Sequence, residues 1–130
     1  MDNKNRAIKY LYYLSLIVLF VVYLFPGSLI GYFLYDDLGK QPNLISNPAG
    51  TSINHFVFFL YLSILGLFSY LPDNNFKSVF ALMLFLSIVL EVLHLIVPNR
   101  SFEYLDIFAN LIGVLFGYCA IIIYKKKKYE

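Results

Sequence analysis

Four apolar stretches, each about 20 residues long, constrain the fold of this chain more than any other feature. They cover about residues 7–25, 53–71, 78–97 and 104–124. A helix needs about 20 apolar residues to cross the hydrocarbon core of a bilayer. A membrane β-strand needs only about 10 residues, and they alternate in polarity. Residues 1–130 are therefore predicted to form one all-α domain, a bundle of four transmembrane helices.

The composition supports the membrane as the solvent of this chain. Hydrophobic residues make up 60% of the sequence and charged residues only 14%, whereas soluble domains have about 45–50% and about 25%. The net charge of +2 is too small to indicate nucleic acid as a partner. The single cysteine, Cys119, cannot form an intrachain disulfide and so carries no information about the redox compartment.

The basic residues predict how the bundle is oriented. Lys4, Arg6 and Lys9 lie at the start of the first stretch, and four lysines at residues 125–128 follow the last one. Lys and Arg collect in the cytoplasmic flanks of membrane helices, and an even number of spans places both termini on one side. Both termini are therefore predicted to be cytoplasmic, with the long loop at residues 26–52 outside. Within that loop, residues 28–35 can form a short interfacial helix.

Polar side chains interrupt the apolar stretches mainly at the outer end of the predicted bundle. The third helix runs outward, so Glu91 and His94 lie in its last two turns and share a face. The second and fourth helices begin outside, which places His55 and Asp106 in their first turns and Asn110 one turn deeper. Glu91 is expected about 9 Å below the end of its helix. A charged group at the centre of a membrane helix costs about 2.5–3.5 kcal/mol even on a lenient scale.

These side chains and the loop residue Arg100 are predicted to form one pocket beneath the outer surface. The residues predicted to bind a ligand are His55, Glu91, His94, Arg100, Asp106 and Asn110. Glu91, His94 and Asp106 are the candidate catalytic groups, and Glu91 is expected to pair with a histidine or with Arg100. No compact metal motif occurs, so neither a metal nor a cofactor is predicted, although the imidazoles and carboxylates are competent ligands.

Two glycines follow the polar residues in the fourth apolar stretch. Gly113 and Gly117 are spaced as GxxxG. This spacing is typical of membrane helices whose backbones approach closely, because no side chain separates them. The pair is predicted to be a helix-packing site.

Taken in order, these residues resemble the VanZ-like family of small membrane proteins, named for a teicoplanin-resistance protein. The family pattern matches at His55-Phe56, Glu91, Pro98-Asn99-Arg100, Asp106, Asn110, Gly113 and Gly117. The resemblance extends over about residues 54–118. The chain departs from the pattern at position 94, which is His rather than Gln, and at position 54, which is Asn rather than an acidic residue or Lys. The resemblance implies an integral membrane protein, associated in some members with glycopeptide resistance.

Three functions remain open on the sequence alone. The pocket would bind or modify a cell-envelope lipid, a lipid-linked wall precursor or a lipoglycopeptide at the outer leaflet of a bacterial plasma membrane. Alternatively, the chain would be a membrane enzyme that acts on a lipid phosphate or acyl ester, with a histidine as base or nucleophile. In the third hypothesis the chain is a structural subunit, and its polar residues only join the helices. Membrane lipids are the expected partners in the first two cases.

Overall fold

A computed structural model describes residues 3–42, 50, 52–72 and 75–129 of the protein. Its five helices are α1 (Asn3–Leu24), α2 (Leu29–Tyr35), α3 (Ser52–Ser69), α4 (Phe76–Leu93) and α5 (Tyr104–Tyr129). All except α2 are long and apolar enough to cross a membrane. No strand occurs in these residue ranges. The prediction of an all-α fold with four membrane helices is confirmed.

The four long helices define two ends of the bundle. At one end, the "site end", the last turn of α1 meets the first turn of α3, where Tyr23 contacts His55. At the other, the "lysine end", the Lys9 ammonium lies 4.3 Å from the ring centre of Tyr70, just after α3. Lys125 of α5 also lies at the lysine end, over the ring of Phe76. Helices α3 and α5 therefore run parallel to each other and antiparallel to α1 and α4.

The most extensive helix contact joins α3 and α5, and Gly113 and Gly117 lie within it. A Cβ atom at Gly113 would lie 2.6 Å from the carbonyl oxygen of Phe56. A Cβ atom at Gly117 would lie 2.6 Å from the Cβ of Ser63. Real side chains do not fit at such distances, so both positions require glycine for the two backbones to approach. The structure thus places both glycines in a close contact between two helices, which is the role predicted from their GxxxG spacing.

The interior of the bundle is apolar through most of its length and becomes polar at the site end. Phe59, Leu62, Met83 and Val114 are fully buried along the apolar part. Large apolar side chains also cover the outer surface, as expected for helices that face lipid on one side and protein on the other. Because lipid is as apolar as the core, close packing rather than the hydrophobic effect holds these helices together.

The loop between α1 and α3 begins with the predicted short helix, α2. The Ser28 hydroxyl accepts a hydrogen bond from the Gly31 amide at 2.9 Å and caps its start. The chain then folds back, since the Ser28 amide donates to the Leu38 carbonyl at 2.7 Å. A side chain at Gly31 would overlap the carbonyl of Lys40. Helix α2 and the segment that follows it therefore form a compact cover over the site end.

At the site end, the predicted and observed bounds of the membrane helices differ most at the end of α4. That helix ends at Leu93, four residues before the predicted end at residue 97. Leu95 and Ile96 instead form tighter bonds to the carbonyls three residues earlier, at 3.1 and 3.0 Å. Pro98 disfavours the helical conformation for the residue before it, and Asn99 has a φ of 57° that begins the reversal. Glu91 therefore lies in the last turn of α4, about 3 Å from its end rather than about 9 Å.

The glycine contact makes a prediction about stability. Gly113→Leu is expected to lower the free energy of unfolding by about 1–3 kcal/mol, because the side chain would force α3 and α5 apart. SDS titration of the protein in mixed micelles measures the change.

The matched control is Ala120→Leu, which introduces the same side chain on the exposed face of α5. Equal stability of Gly113→Leu and Ala120→Leu would contradict the proposed role of the close approach.

Candidate functional site

The site end brings together five of the six predicted ligand-binding residues. His55, Glu91, His94, Asp106 and Asn110 are each more than nine-tenths buried. They come from the start of α3, the end of α4 with the turn after it, and the first two turns of α5. Arg100 is partly buried and lies at the edge of this group. Whether these residues bind a ligand stays a prediction.

Glu91 lies at the centre of the cluster and is fully buried. Its Oε1 atom is 3.2 Å from Nδ1 of His94 and accepts a hydrogen bond from the Glu103 amide at 3.1 Å. Among the described residues, its Oε2 atom has no hydrogen-bond partner. Oε2 lies 3.6 Å from Nδ1 of His55, which is beyond hydrogen-bond distance. One half of this carboxylate is therefore held firmly, and the other half faces the interior of the cluster.

Both ring nitrogens of His94 are engaged. Nε2 lies 3.0 Å from the carbonyl oxygen of Tyr23 and must donate, because a carbonyl cannot. Nδ1 shares a proton with Glu91, whichever of the two carries it. The imidazole also stacks on the Tyr23 ring, with the ring centres 5.6 Å apart. These contacts make His94 a link between α4 and α1, and they count against its predicted role as a free base or nucleophile.

A hydrogen-bond chain runs from His55 through Tyr23 to Asn110. The Tyr23 hydroxyl donates to Oδ1 of Asn110 at 3.2 Å, and the Asn110 amide nitrogen donates to the Ser87 carbonyl at 3.1 Å. The single Tyr23 proton is thus used, so Nδ1 of His55, 3.0 Å from the hydroxyl, must be the donor in that contact. The chain fixes the ring of His55 and the proton on its Nδ1.

Asp106 faces the other nitrogen of His55. Its Oδ2 atom lies 3.4 Å from Nε2 of His55. Its Oδ1 atom accepts a hydrogen bond from the hydroxyl of Ser52. Asp106 therefore resembles Glu91 in having one oxygen held by a neutral donor and the other directed at His55.

Arg100 contacts the C-terminal end of α1 instead of pairing with Glu91. Its Nε donates to the Phe25 carbonyl at 3.3 Å, and Nη2 donates to the Val22 carbonyl. A cation at a helix C-terminus also interacts favourably with the helix dipole. Burial lowers the pKa of the Arg100 guanidinium, and the negative charge of Glu91 opposes this shift. Of the three partners expected for Glu91, His94 forms the direct contact.

A cavity of about 90 Å³ opens beside the cluster. Its polar lining residues are Tyr23, Ser28, Gln41, Asn54, His55, His94 and Arg100. Apolar side chains complete the wall, among them Val22, Ile30 and Phe58. Several water molecules, or a small polar group, fit into this volume. Because Arg100 lines the cavity and no carboxylate among the described residues does, the cavity is suited to an anion.

Behind this cavity, three residues have the spacing of metal ligands. His55, Glu91 and Asp106 each offer one donor atom, and these atoms all lie within 4.8 Å of one another. The sequence predicted no metal, because these residues are 36 and 15 positions apart in the chain and form no local motif. Only the packing of α3, α4 and α5 brings them together.

Sequence reasoning missed Tyr23, Ser52 and the Glu103 amide as parts of the site. Tyr23 is one of 12 tyrosines, and at the end of a membrane span it is indistinguishable from a tyrosine of the interfacial aromatic belt. Ser52 precedes the predicted start of its helix, and backbone amides leave no sequence signal. The position of Ser52 three residues before His55 was the one available indication, since both then share a helix face.

The hydroxyl of Tyr23 is predicted to stabilise the cluster. Tyr23→Phe should lower the free energy of unfolding by about 1–3 kcal/mol, because the His55 N–H and the Asn110 carbonyl lose their common partner inside the protein. SDS titration measures this change, with Tyr104→Phe as the control, since Tyr104 is 73% exposed. If both variants unfold alike, the hydrogen-bond chain does not contribute as described.

Comparison with known proteins gives a family match over most of the chain. The family model described as VanZ/LLP1 matches residues 10–125, which include all four membrane helices in whole or in large part. No curated protein and no solved structure shows a significant match. The match extends the resemblance seen at residues 54–118 to α1 and the outer loop. The chain belongs to the VanZ/LLP1 family, and this membership points to a multi-pass, VanZ-like, resistance-associated integral membrane protein.

Proposed function

We propose that the cavity at the site end binds the anionic headgroup of a cell-envelope lipid or lipid-linked wall precursor. The observation that carries this proposal is the position of Arg100 on the cavity wall. Two of its nitrogens bind carbonyls of α1, and Nη1 takes no partner among the described residues. Guanidinium N–H groups match the geometry of phosphate and carboxylate oxygens.

The other cavity residues suit the two chemical parts of such a lipid. Ser28, Asn54 and Gln41 offer neutral hydrogen-bonding groups near the headgroup. Ile30 is 44% exposed and lies with Val22 at the apolar side of the cavity, where an acyl or prenyl chain would leave it. Glu91 and Asp106 do not line the cavity, so they would not repel the anion directly.

The orientation of the bundle supports an outer-leaflet site. The basic residues 125–128 lie at the lysine end, and the cavity lies at the opposite end of the same bundle. By the positive-inside rule the lysine end is cytoplasmic and the site end faces out. In a bacterial plasma membrane the bound lipid would then be one that a lipoglycopeptide meets at the cell surface, and its capture would change how the antibiotic contacts the membrane.

Two observations weigh against the alternatives. A cluster that served only to join helices would be most stable with every buried polar atom paired, yet Glu91 Oε2 has no hydrogen-bond partner in the part of the chain that the structure describes. An enzyme that uses His94 as base or nucleophile would need a free ring nitrogen, and both are engaged. Binding is therefore favoured over a purely structural role and over His94-based catalysis.

The headgroup proposal is tested by lipid binding to the purified full-length protein. Fluorescent phosphatidylglycerol and phosphatidylcholine analogues, titrated against the protein in neutral detergent, report the preference for an anionic headgroup. Arg100→Lys keeps the charge but loses the planar set of donors, and we expect it to bind phosphatidylglycerol about 10-fold more weakly, since a charge-assisted hydrogen bond contributes about 1.5–3 kcal/mol.

The matched control is Arg6→Lys, the same change at the lysine end. Size-exclusion profiles confirm that both variants are folded, since Arg100 also caps α1. Equal binding of the two lipids, or equal binding by folded Arg100→Lys and wild-type protein, would overturn the proposal.

The orientation has its own test. In a Cys119→Ser background, a membrane-impermeant maleimide is expected to label Asp37→Cys in intact cells, because Asp37 lies in the outer loop. Lys127→Cys should be labelled only after the membrane is permeabilised. The reverse pattern would place the cavity on the cytoplasmic side.

A further inference from the structure

The hydrogen-bond network leaves one nitrogen of His55 without a proton. The proton of His55 is on Nδ1, which donates to Tyr23, so in the neutral ring Nε2 carries a lone pair. That lone pair faces Oδ2 of Asp106 at 3.4 Å, a distance longer than a normal hydrogen bond. Two electron pairs that face each other in a buried site repel unless a positive charge lies between them.

The carboxylates of the cluster show the same pattern. Asp106 has Oδ1 bonded to the Ser52 hydroxyl and Oδ2 directed at His55. Glu91 has Oε1 bonded to the Glu103 amide and adjacent to His94, with Oε2 fully buried and lacking any hydrogen-bond partner in the described chain. Each of the three side chains is therefore oriented through one atom by a neighbouring group and presents a second atom to the interior.

From this arrangement we infer that His55, Glu91 and Asp106 bind one divalent transition-metal ion, with Zn²⁺ as the best match. Two carboxylates and one neutral imidazole form a donor set that zinc accepts. The ion would neutralise both carboxylates and occupy the space between Oε2 of Glu91 and Oδ2 of Asp106. Nε2 of His55 is the binding nitrogen, because Tyr23 engages Nδ1.

The distances fit a site that closes slightly around an ion. Donor atoms bound tetrahedrally at about 2.0–2.1 Å lie about 3.4 Å from one another. The pair of Asp106 Oδ2 and His55 Nε2 already has that separation, at 3.4 Å, and one donor from each of the three residues lies within 4.8 Å of the others. Contraction of the longest separation by at most about 1.4 Å, from 4.8 Å to about 3.4 Å, completes the set.

The surrounding contacts are those that a metal site requires. Ligating histidines donate their other N–H to a fixed acceptor, and ligating carboxylates are themselves hydrogen-bonded. Tyr23 provides the acceptor for His55, Ser52 the donor for Asp106, and the Glu103 amide the donor for Glu91. Three protein ligands leave a fourth position open, and His55 is shared with the wall of the cavity.

This inference goes beyond headgroup binding and does not depend on it. The metal would lie behind the cavity that holds Arg100, so either site can exist without the other. Metal binding without lipid binding would contradict only the proposed function in headgroup binding. Lipid binding by a protein that takes up no metal would contradict only the inference of a metal site.

The test is Zn²⁺ binding by the full-length protein, purified without a histidine tag, stripped with a chelator and re-dialysed. Isothermal titration with Zn²⁺ in a non-coordinating buffer should show one ion per chain, and elemental analysis after gel filtration should show the same ratio. Asp106→Asn and Glu91→Gln, which keep the side-chain shape, should each weaken binding at least 100-fold. Asp36→Asn, which changes an exposed carboxylate outside the cluster, should leave it unchanged.

A second measurement covers the case in which a variant does not fold. Co²⁺ added to the wild-type protein should give visible d–d absorption of a four- or five-coordinate site, displaced by one equivalent of Zn²⁺. Wild-type protein that binds neither ion at a ratio near one would overturn the inference. So would stoichiometric binding that folded Asp106→Asn and Glu91→Gln both retain at wild-type affinity.

Discussion

The close approach of α3 and α5 at Gly113 and Gly117 is the contact on which the rest of the structure depends. It places the first turns of two parallel helices side by side, so that His55 and Ser52 of α3 meet Asp106 of α5. In lipid, where the hydrophobic effect does not draw helices together, such backbone contact supplies much of the attraction between helices. A wider separation of the two helices would also move His55 and Ser52 away from Asp106.

The polar cluster accommodates its buried ionisable groups by pairing one atom of each group with a neighbouring residue. The Ser52 hydroxyl donates to Asp106, the Glu103 amide donates to Glu91, and the Tyr23 hydroxyl accepts from His55, so one side of each of these three groups is held by a neutral partner. The remaining atoms face one another, and this is the feature that distinguishes the cluster from ordinary interhelical hydrogen bonding. Outside the cluster, α2 and the segment after it cover the site end, and Arg100 closes the end of α1. The arrangement is layered, with a cavity lined by Arg100 outside and a carboxylate-rich centre behind it.

Such layering is what the two proposed binding activities would require within one small bundle. The outer cavity offers a guanidinium and neutral hydrogen-bonding groups beside an apolar wall, which matches the headgroup and first carbons of an anionic lipid. The inner group offers a buried histidine and two buried carboxylates, with one donor atom from each lying within 4.8 Å of the others. The VanZ/LLP1 family match covers both parts, since residues 10–125 include Tyr23 as well as Asp106.

Much of the fold and several of the site residues can be predicted from the sequence alone. The bilayer requires long apolar helices, so four spans could be counted directly, and the expense of placing charge in lipid marked Glu91, His55 and Asp106 as site residues. The tertiary structure decided what each of them contacts. The point at which the chain reverses near Asn99 determines three features of the site end. It ends α4 early, it allows both His94 nitrogens to find partners, and it brings Arg100 to the end of α1. Tyr23 joins the site only because α1 packs against α3, and a hydroxyl contact between residues 32 positions apart leaves no periodic signal in a sequence.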